Sequence, residues 1–213
     1  MIRYLYPDQL SQFPALADSM FRDRAIQFHD RLKWAVTVDE NGHERDQYDA
    51  LSPLYVIWET PDGLHGGSMR FLPTTGRTMV NEHFLSLTGG VRIESPLIWE
   101  CTRFCLAPHA GSQISAALML AGGEILRGFD LGHFAGVFDA RMIRVYQMLG
   151  GCPEILGMSG DGPDAIGVGL WQFSQSAHDK LVRRAKVTPE QSRAWFDHAF
   201  APATTELSLA AIG

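Results

Sequence analysis

Much of what usually announces a function is missing from this chain. Its 213 residues include only three cysteines, Cys101, Cys105 and Cys152, an odd and sparse set that fits free thiols in a reducing compartment rather than a disulfide framework. No apolar run approaches the ~20 residues that cross a bilayer, and the opening MIRYLYPDQL has no apolar stretch leading to a small-residue cleavage site. The expectation is a cytoplasmic protein with no membrane partner. Basic residues are outnumbered, 18 Lys and Arg against 24 Asp and Glu for a net charge of −6, so nucleic acid is a poor partner: phosphate contacts need a concentrated basic face. Internal repeats and low-complexity tracts are absent. None of the eight histidines forms an HExxH pair, and GDGPDAIGVG lacks GxGxxG and opens no apparent helix, so it reads as a turn into a strand. Cys101, Cys105 and His109 are evenly spaced, but residues four apart on a strand are ~13 Å apart, too far for one zinc ion. No metal and no cofactor are expected.

What is present is enough apolar residue, 46%, for one large core. A single domain over 1–200 is expected, with APATTELSLAAIG (201–213) as a tail, disordered or a short docking helix. Leu10, Phe13, Leu16, Met20, Phe21, Ile26, Phe28 and Leu32 recur at a helical period, with Pro14 marking a start or break. LYVIWE and GLHGGSMRFLP flank the turn signal TPDG, which predicts an antiparallel hairpin over 54–73. A third strand is expected over 97–106, a helix from Ser112, a strand HFAGVF ending near Asp139, a helix ARMIRVYQMLGG stopped by glycine, and a late strand IGVGLWQF. This is an α/β pattern, a largely antiparallel sheet with helices on its faces.

Four phrases carry the chemistry: RDRAIQFHDRLKW (22–34), ERDQYDALSPLYVIWE (44–59), GGSMRFLPTTG (66–76) and IWECTRF (98–104). In that order and spacing they resemble the acyl-homoserine-lactone synthases, bacterial enzymes that make quorum-sensing autoinducers from S-adenosylmethionine and an acyl thioester. Weaker resemblance runs on to about residue 172. It implies a GNAT-like (acyl-CoA N-acyltransferase) α-β-α sandwich, whose mixed, mostly antiparallel sheet is splayed between LIWECTRFCL and HFAGVF to admit a pantetheine arm. Generic N-acetyltransferases hold pyrophosphate at a Gly-rich helix start. The corresponding LAPHAGSQIS lacks that arginine-rich glycine loop, which weakens a generic acetyltransferase reading.

The implied reaction is attack of the substrate amine on the acyl thioester, then displacement of methylthioadenosine by the substrate carboxylate to close a lactone. Trp34 and Phe28 are the aromatics for the sulfonium, which a ring face attracts by ~0.5–2 kcal/mol; otherwise they are core or lid hydrophobes. Glu100 stands in an apolar strand, where a charge is costly unless paired, so it is either a structural partner or, as the resemblance implies, the base or the group that orients the amine. Arg24 lies one turn before Phe28 and suits a carboxylate of substrate or protein. Asp46, Asp49, Arg70 and Arg103 are expected to form a charged lattice holding the loop 34–50 against the sheet. Regular alternation sends positions 100 and 103 to opposite faces, so Glu100 and Arg103 share a site only if a β-bulge lies near 101–104.

An acyl-carrier protein is strongly acidic and needs a basic docking patch, for which Arg127, Arg141 and Arg144 are the candidates; a coenzyme A thioester is the alternative donor. Arg183, Arg184 and Lys186 form a second, unassigned cluster. The small residues Ser115, Ala116, Ala117, Ala121, Gly122, Gly123, Gly132 and Gly136 suggest an open pocket for a medium or long acyl chain, with Met119, Phe134, Phe138 and Met142 in its wall. HFAGVFDA offers no hydroxyl, where members making 3-oxo products resemble one another in having Ser or Thr. The rival readings are an N-acyltransferase of this fold acting on another amine, and a non-catalytic acyl-thioester-binding module.

Overall fold

The computed structural model describes residues 1–201, so the expected tail, apart from Ala201, lies outside the described residues. The strands are β1 (Ile2–Leu5), β2 (Leu54–Glu59), β3 (His65–Pro73), β4 (Ile98–Leu106), β5 (His133–Asp139), β6 (Glu154–Ser159) and β7 (Ile166–Trp171). The helices are α1 (Pro7–Leu10), α2 (Pro14–Arg24), α3 (Met79–His83), α4 (Ser112–Gly128), α5 (Arg141–Leu149), α6 (Gln175–Ala185) and α7 (Pro189–Phe200). One seven-stranded sheet runs in the order β1-β2-β3-β4-β5-β7-β6. Its neighbours are antiparallel except the central pair β4 and β5.

Local chemistry accounts for several boundaries. Pro14 occupies the first turn of α2, where its missing N–H costs nothing. Gly150 ends α5 at φ +79°, a left-handed stop that suits glycine. Ser174 and Thr188 accept N–H bonds from Ala177 and Gln191 at the starts of α6 and α7. The short β1, the mostly exposed edge strand β6, and α3, α6 and α7 had no sequence expectation; β6 shows no alternation of burial to detect.

Strand alternation sorts the core into two layers. Ile2, Tyr4, Leu54, Val56, Met69 and Phe71 face α4, whose Leu118, Leu120 and Ile125 are fully buried because α6 and α7 cover its far side. Tyr55 and Ile57 face the other way, against Leu16, Met20 and Phe21 of α2. Helices on both faces of the sheet make the expected three-layer sandwich.

Two irregularities prepare the site. β4 and β5 pair only at Ile98–His133, Trp99–Phe134 and Glu100–Ala135. Beyond that, β4 stays with β3 and β5 stays with β7, so the sheet splits open as expected. On β3 one residue separates Ser68 from Arg70, whereas two separate their partners Cys105 and Thr102. The extra residue is a β-bulge, and within it Arg103 adopts φ +52°. The bulge lies where Glu100 and Arg103 needed it.

Candidate active site

Three adjacent strands place Tyr55, Arg70 and Thr102 side by side in one row, on the sheet face that α2 covers. The bulge turns Arg103 to that same face, while Cys101 and Phe104 turn to the α4 side. Arg24, the last residue of α2, completes a set of three guanidiniums. The connection before β2 brings three carboxylates to meet them.

These six groups close a ring. Arg24 Nη1 and Nη2 donate to Asp49 Oδ1 and Oδ2 at 3.0 and 2.9 Å. Arg70 lies 2.9 Å from Asp49 and grips Asp46 in a bidentate pair. Asp46 lies 2.7 Å from Arg103, Arg103 Nη2 donates to Glu44 Oε1 at 2.8 Å, and Glu44 Oε2 accepts from Arg24 Nε at 2.7 Å. Arg24, Arg70 and Glu44 are almost wholly buried. Tyr55 donates its hydroxyl to Asp49 at 2.8 Å, and Arg70 Nε donates to Thr102 Oγ1 at 3.1 Å. Burial raises the Asp49 pKa, but Arg24 and Arg70 outweigh it and hold the carboxyl well below the usual range. Asp46 and Asp49 also fold their own loop, since Asp46 Oδ1 accepts from Tyr48 N at 2.9 Å and Asp49 Oδ2 from Asp46 N at 2.8 Å. The expected lattice is present, with Glu44 as an unanticipated member. The signal available for it was its place in ERDQYD, two residues before Asp46.

Glu100 is buried, and its two oxygens accept from Met79 N at 3.0 Å and Val80 N at 2.6 Å. Burial pushes its pKa up, against those two N–H bonds. It therefore satisfies the first turn of α3. Beyond Arg24, π-helical turns over Ala25–Arg31 carry Phe28 inward. Trp34 stacks on Phe28 with ring centroids 5.1 Å apart and 12° between planes, and the Arg103 guanidinium lies 5.4 Å from the Phe28 centroid.

A cleft of about 680 Å³ opens in front of the ring, bordered by Trp34, Asp46, Arg103, Met79, His83 and Asp139 among others. Of the residues expected on the nucleophile side, only Trp34, Asp46 and Arg103 border it. Phe28 does not border it, because Trp34 covers its ring. Arg24, Asp49, Arg70 and Glu100 also stand behind the wall, their polar groups taken by one another or by α3.

An apolar cavity of about 180 Å³ lies on the α4 side. Met119 and Phe134 line it as expected, with Met69, Phe104, Tyr146 and Trp171, which the sequence reading missed. Phe138 does not line it. Its ring packs edge-on to Tyr146 and Trp171, behind their inner faces, and borders the cleft instead. Met142 borders neither; it sits one turn before Tyr146 on α5, beyond the end of the cavity. Val137 borders both cleft and cavity. It stands at the split, where the two spaces meet through the sheet. Across that split a Cβ on Gly136 would lie 3.3 Å from the Cys101 carbonyl oxygen and 3.1 Å from the Trp171 ring, so a side chain there would crowd the passage.

The proposed docking arginines are not one patch. α4 runs back against β4, which puts Arg127 near the start of β5, where its guanidinium lies 5.3 Å from the centroid of the Phe173 ring. Arg141 and Arg144 follow the other end of β5, a strand length of about 20 Å away. A second cluster, Asp23, His65 and Ser68, is linked at 2.7 and 3.0 Å in the manner of a hydrolase triad. None of the three borders the cleft or the cavity, and His65 and Ser68 are buried. No helix among the described residues is long and apolar enough to cross a membrane.

Residues 9–149 match the model of a family described as autoinducer synthase. The chain is 40% identical over 181 residues to an acyl-homoserine-lactone synthase of Rhizobium etli, covering 82% of this chain and 85% of that relative. One from Agrobacterium fabrum is 37% identical over 66% of this chain and 63% of the relative. Among solved structures, the fold is similar to MesI, a CoA-dependent acyl-homoserine lactone synthase (TM-score 0.78, 20% identity, 88% of this chain and 96% of that one). It is also similar to BjaI, another CoA-dependent synthase, with SAM and isopentyl-CoA (TM-score 0.76, 20% identity, 88% and 90%).

Removing one member of a buried ionic ring strands its partners, at about 3–5 kcal/mol. Glu44→Ala is expected to lose that much stability in urea unfolding, and a loss under about 0.5 kcal/mol would show that the six groups do not act as a unit. A carboxyl depressed in the folded state contributes its full stabilisation above its ordinary pKa of about 4 and loses it as pH falls toward the folded value. Unfolding free energy should therefore drop with acidification below about pH 4. In Asp49→Asn, less stable at neutral pH, that drop should be shallower; an unchanged slope would remove Asp49 as its source.

Proposed function

This chain belongs to the autoinducer synthase family, and from that premise we propose that it makes an N-acyl-L-homoserine lactone. It transfers an acyl group from a thioester to the amine of S-adenosylmethionine and closes the lactone with release of methylthioadenosine. One observation carries the reading: a polar cleft and an apolar cavity on opposite faces of the sheet meet at a split in its centre. S-adenosylmethionine suits the cleft and the acyl chain the cavity, with the thioester carbon between them near Val137 and Gly136. Holding both reactants there turns a bimolecular encounter into a local one.

In this reading the half-exposed face of Trp34 receives the sulfonium, and Phe28 and Arg103 back it from behind. Asp46 and Arg103, which border the cleft together with the more deeply buried Glu44, meet the amine and the carboxylate of the substrate. Arg24, Asp49, Arg70 and Glu44 are positioning residues that hold those two in place. Glu100 is likewise a positioning residue. It anchors α3, and through it Met79 and His83, while the Cys101 carbonyl at the split is an acceptor for the amine N–H. The substrate ammonium gives one proton to water, the free amine attacks the thioester carbon, and its second proton passes to the departing thiolate as the amide forms. The carboxylate then attacks the side-chain carbon bound to sulfur, expelling methylthioadenosine. In this reading S-adenosylmethionine and the acyl thioester are substrates rather than cofactors.

For the donor, an acyl-carrier protein fits Arg141 and Arg144, both exposed on the first turns of α5 beside Asp139 at the cleft. Arg127 has no part in that docking, being at the far end of β5. An intracellular setting accords with substrates made there.

Purified protein given S-adenosylmethionine and a panel of acyl-carrier-protein and coenzyme A thioesters should form methylthioadenosine and acyl-homoserine lactone together, read by mass spectrometry. Trp34→Ala should raise the KM for S-adenosylmethionine about 3- to 30-fold, with Trp34→Phe close to the parent; neither product from folded protein across the panel would sink the reading. Gly136→Val, which puts a side chain against Cys101 O and Trp171, should abolish turnover of long acyl donors while S-adenosylmethionine still binds. Undiminished turnover would place the acyl chain elsewhere.

A further inference from the structure

Tyr146, Gln172, Ser174 and His178 are polar side chains of the cavity wall that the proposed reaction does not use, and of these His178 is the one with buried ring nitrogens left unpaired. His178 on α6 contributes to its wall and is only 6% exposed, yet neither ring nitrogen has a hydrogen-bond partner among the described residues. Its nearest acidic neighbours lie within ion-pair reach but beyond hydrogen-bond distance, Glu124 Oε1 at 3.7 Å from Nε2 and Asp179 Oδ1 at 3.6 Å from Nδ1. Glu124 is itself buried and spends that oxygen on the Ser192 hydroxyl at 3.1 Å. Buried polar groups are nearly always paired, and leaving one unpaired in an apolar wall is costly. A cavity meant only for hydrocarbon is better closed by leucine or phenylalanine, as Phe173 and Leu181 close it beside His178.

The place of His178 in the cavity is also specific. Val137, at the split, is three residues along β5 from Phe134, which pairs with Trp171. Gln172, Phe173 and Ser174 follow Trp171 into α6, and all of them line the same cavity as His178. From the reacting carbon to this end is thus about 10 Å of strand and more. His178 stands at the distal end of the space assigned to the acyl chain, with the Phe173 ring 5.9 Å away to hold its imidazole.

We propose that His178 is a specificity-determining residue that hydrogen-bonds an oxygen, hydroxyl or carbonyl, carried on the distal part of the acyl group. The inference rests on the reading of the cavity as the acyl site. An oxygen there completes the hydrogen bonding of the imidazole, and a plain chain of equal length leaves it unpaired. A site that hydrogen-bonds its substrate discriminates strongly against the analogue lacking the group, whereas an apolar pocket barely rejects an added hydroxyl.

The test compares kcat/KM for octanoyl, decanoyl and dodecanoyl thioesters with the same chains hydroxylated at the terminal or penultimate carbon, and with their 3-hydroxy forms. Each is supplied on both carriers with S-adenosylmethionine. The protein should favour the distally hydroxylated member of at least one pair about 5- to 100-fold. His178→Phe, which keeps the bulk and removes both nitrogens, should lose that preference and gain on the plain chains, while His178→Gln should keep part of it. A preference for plain chains in every pair, a preference confined to the 3-hydroxy forms, or an unchanged ratio in a folded His178→Phe overturns the inference. If His178→Phe does not fold, the parent and His178→Gln ratios decide. Absence of methylthioadenosine with every donor is a separate failure, that of the functional reading itself, and the inference falls with it.

Discussion

The ionic ring joining Arg24, Glu44, Arg103, Asp46, Arg70 and Asp49 is the constraint on which the cleft depends. Its three cations come from three frame elements, the end of α2, the middle of β3 and the bulge of β4. Its three anions come from one loop. Alternation of sign around the ring leaves no net charge to bury, and the bidentate pairs fix angle as well as distance. Buried ion pairs rarely add much net stability over apolar packing. What this one supplies is position, since the loop cannot shift without leaving a buried charge unpaired. Trp34, at the start of that loop, is aimed by the same lock.

The split sheet is the second constraint, and it works with the first. Parallel pairing of β4 and β5 ends after Glu100 and Ala135, and the bulge that follows reverses the facing of Arg103. Without the extra residue, Arg103 would point with Cys101 toward α4, and the ring would lack a corner. One irregularity thus accompanies the opened passage and completes the electrostatic lock beside it. Glu100 shows how the cost is managed locally: a carboxylate in a central strand is tolerated because two backbone N–H groups at the start of α3 need an acceptor.

The two spaces that meet at the split differ in kind, which is what a reaction between a zwitterionic sulfonium and a hydrocarbon chain requires. The cleft has charges at its wall and one exposed aromatic face. The cavity has aromatic and methionine walls, small residues on α4 that leave room, and a single buried imidazole at its end. Exclusion of water from such a passage strengthens every charge interaction at its mouth.

The sequence by itself determined the family, the three-layer α/β architecture, the hairpin β2–β3, the helix from Ser112 and the lattice of Asp46, Asp49, Arg70 and Arg103. Those rest on local signals: alternation, turn residues, proline and glycine stops, and short phrases in a set order. It also required a bulge, because two residues three apart cannot otherwise face one site. Tertiary structure alone decided which of the motif residues touch the cleft. Phe28 and Glu100 read as site residues, yet one lies under Trp34 and the other caps α3, since burial depends on what packs on top and not on the residue's own neighbours in sequence. Glu44 closing the ring, Phe138 and Met142 standing outside the cavity, Arg127 parting from Arg141 and Arg144, and His178 reaching the cavity were beyond sequence for the same reason. Each depends on distances between elements far apart in the chain, and no local pattern encodes those.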